Sequence, residues 1–306
     1  MRVTSTEDRH PASANLHAQD PQDALVQLLA AQVAATGSLR AAVPVMSDAA
    51  LRAAAVLRDG GRLAYAGAGS AGLMALADCL ELAGTFGIPP ERTPMLFAGG
   101  TQALLHLTGM AEDDPATAAT DFATVGLCRG DAVICVSASG GTPYTVEVAR
   151  LARAAGVQVI AIANVADSPL LTGADIPILL DTGPEVVTGS TRMGAGTAQK
   201  IALNMISTLI GLELGHVYDG YMVNVRADNA KLRDRSARIV SGIAQCSDAD
   251  ARYALAATGG EVKPAVLVAF GASPAVAQSL LAKTGGHLGP ALDRLMPTEP
   301  AQAHQR

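Results

Sequence analysis

Short apolar runs alternate with amphipathic stretches through the middle of the chain. Five runs of five to seven residues are rich in Val, Ile, Leu and Ala, and helical patterns separate them. The predicted strands cover 62–67, 94–98, 131–137, 157–163 and 176–180. Near-continuous apolar strands that alternate with helices are typical of a parallel sheet covered on both faces. The pattern therefore predicts an α/β fold with a doubly wound parallel sheet.

Helical spacing dominates on both sides of this region. Residues 1–20 form a polar arm, and the apolar residues of 24–57 predict two helices with a break near Gly37 or Pro44. After Lys200 the pattern is helical apart from a turn near 216–219, and three short helices are predicted at 248–257, 262–270 and 274–283. We therefore expect N-terminal arm and helices over 1–58, an α/β domain over 59–245, a small helical domain over 246–295 and a tail over 296–306.

Composition narrows the class of protein. With 306 residues, 49% hydrophobic and 16% charged, the chain has the composition of a globular protein with a large core. A net charge of −6 and only 3% aromatic residues argue against a nucleic-acid partner. The N-terminus lacks the apolar segment of a secretory signal, and no uninterrupted apolar run reaches the ~20 residues that span a bilayer. We therefore expect no membrane partner.

The spacing of the cysteines and histidines argues against disulfide bonds and metal sites. The four cysteines form no C-x-x-C pair, and Cys79 and Cys135 lie in apolar runs, where buried free thiols are common. This usage predicts a reducing, cytoplasmic location. The six histidines lack the spacing of metal ligands, so no metal site is expected.

The segment 183–207 is unusually rich in Gly, Ser and Thr just before an apolar helix. Ser190 and Thr191 stand in its centre, and Gly194 follows. Free N–H groups at a helix start, aided by the helix dipole, can bind an anion. The same residues are also good N-caps, so an ordinary capped helix explains the composition equally well.

Two predicted strand–loop–helix units end in hydroxyl-bearing turns. These turns are Gly67-Ala-Gly-Ser70 and Ser137-Ala-Ser-Gly-Gly-Thr142, which lie at carboxyl ends of strands, where ligands bind in open parallel sheets. The first turn matches a dinucleotide fingerprint only weakly, because no acidic residue follows the second strand at 97–100. No Gly-Lys-Ser/Thr motif is present either. A hydroxyl-rich turn at a helix start suits a compact phosphate monoester.

The Ser137–Tyr144 loop resembles the phosphosugar-binding loop of sugar-isomerase (SIS) domains. More specifically, the chain resembles the N-acetylmuramic acid 6-phosphate etherase family along nearly its whole length. The matching pieces, all in the family's order, are 6–13, 67–70, Glu81 with 85–87, 98–100, 111–114, 137–144, 183–185, 189–192, 195–200, 203–205 and 231–232. The resemblance implies a doubly wound SIS-type sandwich with N-terminal helices and a small C-terminal helical domain.

The resemblance also implies a reaction. Family enzymes open the ring of the sugar 6-phosphate, eliminate D-lactate from C3 and add water to give N-acetylglucosamine 6-phosphate. This chemistry needs a base for the C2 proton and an acid for the ether oxygen, but no cofactor. The family's catalytic glutamates correspond to Glu81, the expected acid, and Glu112, a second acid/base. Contacts to a phosphosugar are expected from Ser70, Ser137, Ser139, Thr142, Ser190, Thr191 and Lys200.

Both glutamates also have an ordinary structural explanation. Glu81 falls near the end of the first helix of the α/β domain, where it can be a solvated carboxylate that shares a face with Asp78. Glu112 can be an acidic residue that caps the following helix. The family resemblance favours catalysis for both residues.

The chain departs from the family pattern at three basic positions. Leu73, Gly141 and Gly194 stand where the family carries a cation, and Leu82–Gly84 replaces Cys-Pro-Pro. Charge-assisted hydrogen bonds contribute roughly 1.5–3 kcal/mol each, so three losses predict a shifted substrate or a weaker enzyme. Arg192, Lys200 and Lys231 remain as cations, although Lys200 can equally be a surface lysine.

Two other functions fit the same sequence class. A non-catalytic SIS regulator would bind sugar phosphates without turnover, and its helical C-terminal domain would dock a partner protein. An aldose–ketose isomerase would interconvert phosphosugars and release no lactate. The resemblance further implies a homodimer with sites near the subunit interface, to which the apolar helix 201–214 can contribute.

Overall fold

The computed structural model describes residues 6–107, 109–225 and 230–296, and these form two compact units. The first consists of Met1–Glu81 and Pro89–Ile210, within the described residues, and the second of Leu82–Ile88 and Gly211–Arg306. The second unit thus begins earlier in the chain than the helical domain predicted over 246–295. The predicted domain boundaries remain predictions, and the tail 297–306 lies outside the described residues.

The first unit is built on a five-stranded parallel sheet of order β2-β1-β3-β4-β5. Its strands are β1 (Leu63–Gly67), β2 (Met95–Phe97), β3 (Ala132–Ser137), β4 (Gln158–Ala163) and β5 (Ile176–Leu179). The helices begun in this unit are α1 (Pro21–Thr36), α2 (Ser38–Arg58), α3 (Gly69–Phe86), α4 (Gly100–Ala103), α5 (Pro115–Val125), α6 (Pro143–Ala154), α7 (Pro169–Thr172) and α8 (Gly194–Glu213). All five predicted strands are confirmed, as is the α/β class.

Helices cover both faces of the sheet because the strands are apolar on both sides. On one face Ala64 and Val133 pack into a cluster with Ala118 of α5 and Val148 of α6. On the other face Tyr65 of β1 reaches α3 and α8 through a buried aspartate. This two-sided burial explains why the strands read as continuous apolar runs, and it makes the sheet doubly wound.

The N-terminal helices α1 and α2 meet at Gly37, as predicted, whereas Pro44 lies inside α2 without breaking it. Together they span Pro21–Arg58, and this stretch is long and apolar enough to cross a membrane by length and composition. Core helices of soluble proteins share this length and composition. Several large apolar side chains of α1 are exposed, among them Leu25 and Leu29.

One large apolar side chain of α3, Leu80, does not face the core. Leu80 is 68% exposed, whereas Ala75 and Leu82 on the other side of the helix are buried. The apolar spacing predicted the helix correctly, but it did not show that Leu80 is left outside the buried face. Leu80 is therefore available to another surface.

The second unit is mostly helical. Its helices are α9 (Ala230–Ala244), α10 (Asp248–Ala257), α11 (Val262–Ala269), α12 (Pro274–Lys283) and α13 (Leu288–Leu295). The last was not predicted, and the predicted turn near 216–219 is a small antiparallel hairpin of β6 (Val217–Tyr218) and β7 (Tyr221–Met222). Short apolar segments of this kind bury their side chains only when they are stacked on one another, as in this unit's shared core.

Candidate active site

Two predicted phosphate loops lie side by side at the carboxyl edge of the sheet. Gly67 at the end of β1 pairs with Val136 of β3, so the loops 67–70 and 137–142 leave neighbouring strands at the same level. In a sheet of order 2-1-3-4-5 the chain turns to opposite sides after β1 and β3, and ligands bind in the crevice at this switch point. Ser70, Ser137, Ser139 and Thr142 are therefore brought to one place.

The Ser137–Thr142 loop is held in a compact turn by its own hydroxyls. The Ser137 Oγ lies 2.8 Å from Thr142 Oγ1 and accepts the Gly140 N–H at 3.0 Å. Ser139 Oγ accepts the Gly141 N–H at 3.1 Å. Ser137 is buried and shapes the loop, whereas Ser139 is exposed and Thr142 is half-buried. The exposed edge of this turn is thus a preformed hydroxyl surface at the start of α6.

Glu112 lies between the two loops. A methyl group on Gly69 would collide with the Glu112 carboxylate, whose Cδ lies only 3.1 Å from the ideal Cβ position. The Glu112 backbone O accepts the Tyr144 N–H of α6 at 3.0 Å. Glycine is therefore required at position 69 for the carboxylate to rest against the β1–α3 turn, where Gly69 also has a φ of 52°.

The environment of Glu112 suits proton transfer. Burial raises the pKa of its carboxyl, and the charge of neighbouring Asp113 raises it further. The structural alternative for Glu112 does not hold, because Asp114 is the residue that caps α5, with its carboxylate accepting the Ala116 and Thr117 N–H groups. Glu112 is free of that task and borders the predicted phosphate site.

Glu81 lies in a different place. It is exposed on α3, which continues five residues beyond it to Phe86. Gly69 and Glu81 are 81 − 69 = 12 residues apart on this one helix, and a rise of about 1.5 Å per residue separates them by about 18 Å. Since the Glu112 carboxylate rests against Gly69, one copy of the chain does not bring the two glutamates together.

The start of α8 is capped from within the chain. The buried carboxylate of Glu185 accepts the Gly194 N–H at 2.9 Å and the Ala195 N–H at 2.8 Å. The sequence left an anion site and a capped helix open for this segment. Glu185 itself supplies the negative charge at these two amides. The helix dipole stabilises this carboxylate in the way that it would stabilise a bound phosphate.

The second turn of α8 lies at the carboxyl edge of the sheet, where hydrogen bonds through Asn164 connect it to the 137–142 loop. Gln199 donates to Asn164 Oδ1 at 2.8 Å, and the Asn164 N–H donates to Ala138 O in the Ser137–Thr142 loop at 2.9 Å. The neighbouring Lys200 is exposed, and Ser190 and Thr191 are half-buried in the turn before the helix. Gln199 lies in the matching piece 195–200, but no motif marked its partner Asn164, since their contact depends on strand order.

No group of three or more His, Cys, Asp or Glu side chains suited to a metal occurs in the parts of the chain that the structure describes. Cys79 and Cys135 are buried free thiols, as expected. The absence of a metal site stays a prediction.

Comparisons agree with this architecture. Residues 33–164 match the family model of the SIS domain. A phosphoheptose isomerase from Francisella tularensis superposes with a TM-score of 0.50 at 18% identity, over 63% of this chain and 100% of that chain. The fold and the paired hydroxyl loops define a SIS-domain protein.

Sequence relatives narrow the class. An N-acetylmuramic acid 6-phosphate etherase from Deinococcus radiodurans is 46% identical over 86% of this chain and 86% of its own length. A relative of the same name from Streptomyces avermitilis is 44% identical over 79% of this chain and 76% of its own length. The chain belongs to the N-acetylmuramic acid 6-phosphate etherase family.

Proposed function

We propose that the protein is a cytoplasmic lyase that cleaves the D-lactyl ether of N-acetylmuramic acid 6-phosphate. The products are N-acetylglucosamine 6-phosphate and D-lactate. Membership of the etherase family supports this activity. The observation within the site that supports it best is Glu112, a half-buried carboxyl with a raised pKa beside two hydroxyl-bearing loops.

The phosphate would bind at the exposed edge of the 137–142 turn. Ser139, Thr142 and Ser70 can donate hydroxyl hydrogen bonds there, and the α6 helix dipole favours an anion. Lys200 can add a positive charge from the second turn of α8. Ser190 and Thr191 remain predicted contacts from the preceding turn.

The reaction needs two proton transfers. A base takes the C2 proton of the open-chain aldehyde, the C3–O bond breaks with its electrons going to oxygen, and an acid protonates that oxygen. Water then adds its hydroxyl to C3 and a proton to C2. Glu81 is proposed as the acid and Glu112 as the second acid/base, each on its own side of the sugar.

A complete site requires two copies of the chain. The separation of about 18 Å along α3 prevents Glu81 and Glu112 of one copy from sharing a sugar. Exposed apolar side chains flank both residues, with Leu80 68% exposed beside Glu81 and Met110 83% exposed beside Glu112. We propose a homodimer in which Glu112 and the hydroxyl loops of one copy meet Glu81 of the second.

D-lactate release from N-acetylmuramic acid 6-phosphate tests the activity. We expect turnover by the wild type and at least ~100-fold losses in kcat for Glu81→Gln and Glu112→Gln. Interconversion of phosphosugars without lactate would instead support an isomerase. Thermal stabilisation by sugar phosphates without any turnover would support a sensor.

Heterodimers test the two-copy site. Co-expressed copies with different tags allow a dimer of Glu81→Gln with Glu112→Gln to be purified. One of its two sites would hold both glutamates, so it should recover about half of the wild-type rate, although each parent homodimer is inactive. A heterodimer as inactive as its parents would contradict the proposed arrangement.

A further inference from the structure

Asp78 is a buried carboxylate on α3, one turn before Glu81. It is only 4% exposed and accepts three hydrogen bonds. Its Oδ2 accepts from the Tyr65 hydroxyl at 2.9 Å, and its Oδ1 accepts from Asn204 Nδ2 at 2.9 Å and Ser207 Oγ at 2.8 Å. A carboxylate removed from water in this way is stable only while such donors stay in place.

The three donors come from two other elements of the first unit. Tyr65 is on β1, which leads into the 67–70 loop, and Asn204 and Ser207 are on α8. Burial and the charge of Asp78 raise the pKa of Tyr65, so its phenol stays protonated and donates. Asp78 therefore joins α3 to the sheet on one side and to α8 on the other.

These contacts fix the rotation of α3 about its own axis. With Asp78 buried in this orientation, Leu80, about 160° away around the helix, and Glu81, about 60° away, are both exposed. A helix that rotated by one residue, about 100°, would carry Glu81 away from that direction. Ala71 and Ala75 on the preceding turns and Leu82 on the following turn share this buried face, and the hydrogen bonds of Asp78 add a directional constraint to their packing.

We propose that Asp78 is a positioning residue that acts through Glu81. Its hydrogen bonds hold α3 in the orientation that presents Glu81 to the second copy of the chain. The inference rests on the proposed function and its two-copy site. Asp78 itself touches no substrate.

Two substitutions distinguish the effect of the Asp78 hydrogen bonds from the effect of its negative charge. Asp78→Ala removes the acceptor, so we expect kcat to fall about 10- to 100-fold while KM changes less than about 3-fold, because the hydroxyl loops do not contact Asp78. Asp78→Asn keeps an oxygen for Asn204 and Ser207, and its amide can donate to the Tyr65 oxygen. It should regain most of the lost rate. Asp248→Ala, at the exposed first residue of α10, is the control for an aspartate-to-alanine change.

Heterodimers show whether Asp78 acts through Glu81 of its own copy. A dimer of Asp78→Ala with Glu112→Gln has one site in which Glu112, Glu81 and the Asp78 beside that Glu81 are all intact, so it should recover about half of the wild-type rate. A dimer of Asp78→Ala with Glu81→Gln has no such site and should stay at the level of Asp78→Ala or below. A general structural defect would lower both heterodimers alike.

The outcomes distinguish this role from the activity itself. If the Glu81→Gln/Glu112→Gln heterodimer is active but the Asp78→Ala/Glu112→Gln heterodimer is not, the role of Asp78 is overturned and the proposed function stands. Equal activity of both Asp78→Ala heterodimers would overturn it too. A wild type that releases no D-lactate would overturn both proposals.

Discussion

Glu112 owes its proton affinity to its surroundings. Burial against the β1–α3 turn raises the pKa of this carboxyl, and the charge of Asp113 raises it further. A raised pKa means that the proton is retained to higher pH than on an ordinary glutamate. If Glu112 is the base that removes the C2 proton, activity should rise as the pH rises through this pKa.

Asp113→Asn tests this relation at a single residue. Loss of the neighbouring charge favours the ionised form of Glu112, so its pKa falls. The acid limb of the pH profile of kcat/KM should then move to lower pH. Asp59→Asn, on the surface after α2, is the matched control. An unchanged acid limb would contradict the role of Glu112 as the base.

Gly141 is a position where a lost cation can be restored. An ideal Cβ at Gly141 would approach only Ser139 Oγ, at 3.8 Å, so a side chain fits there. Gly141→Arg should lower KM for a 6-phosphosugar by about 3- to 10-fold, because arginine adds charge-assisted hydrogen bonds at the phosphate loop.

Gly194→Lys provides the comparison. A Cβ there would lie 3.1 Å from Glu185 Oε2 and 3.2 Å from the Ala35 Cβ, so the position is crowded and no gain in KM is expected. An unchanged KM in Gly141→Arg would place the phosphate elsewhere.

At the scale of elements, the start of α8 depends on Glu185. Its buried carboxylate satisfies the first two N–H groups of the helix, which would otherwise be unpaired. Glu185→Gln replaces one accepting oxygen by a donor. We expect the free energy of unfolding to fall by about 1–3 kcal/mol, measured by urea denaturation at pH 7.

The surface pair of Glu147 with Arg150 is the matched control for Glu185. Exposed ion pairs contribute little, so Glu147→Gln should change the free energy of unfolding by less than about 0.5 kcal/mol. Equal losses in the free energy of unfolding in both variants would show that the Glu185 cap stabilises the protein no more than a surface ion pair does.

Local patterns predicted the elements far better than the contacts between them. All five strands and most helices follow from apolar runs and helical spacing. The exposure of Leu80 on α3 and the hairpin at 217–222 do not follow from them, because spacing shows that a helix exists but not which neighbour covers each face. Helix α13 was missed because Gly289 and Pro290 in its first turn are typical of a turn.

At the scale of the whole molecule, a dimer would bury the apolar residues beside both glutamates. Leu80→Asp should place an unpaired charge in that interface, and burying such a charge costs several kcal/mol. We expect this variant to sediment as a monomer and to keep less than about a twentieth of the wild-type rate.

Tyr253→Asp is the control, because Tyr253 is also exposed and apolar but lies on α10 in the second unit. It should remain dimeric and active. A dimeric Leu80→Asp variant would mean that the interface lies elsewhere, for example on the exposed face of α1.

The sequence by itself determined the class of fold, the two hydroxyl-bearing loops and the family. Each of these can be recognised from the order of residues within short segments, without knowing which segments contact one another. Only the tertiary structure decided that Glu185 caps α8, that Asp78 is buried and that Glu81 and Glu112 lie far apart within one copy. Strand order and helix packing set these relations, and they bring together or separate residues that local spacing treats alike. The rigid rise of α3 is the physical reason that 12 residues along one helix become a distance of about 18 Å, too great for a single sugar.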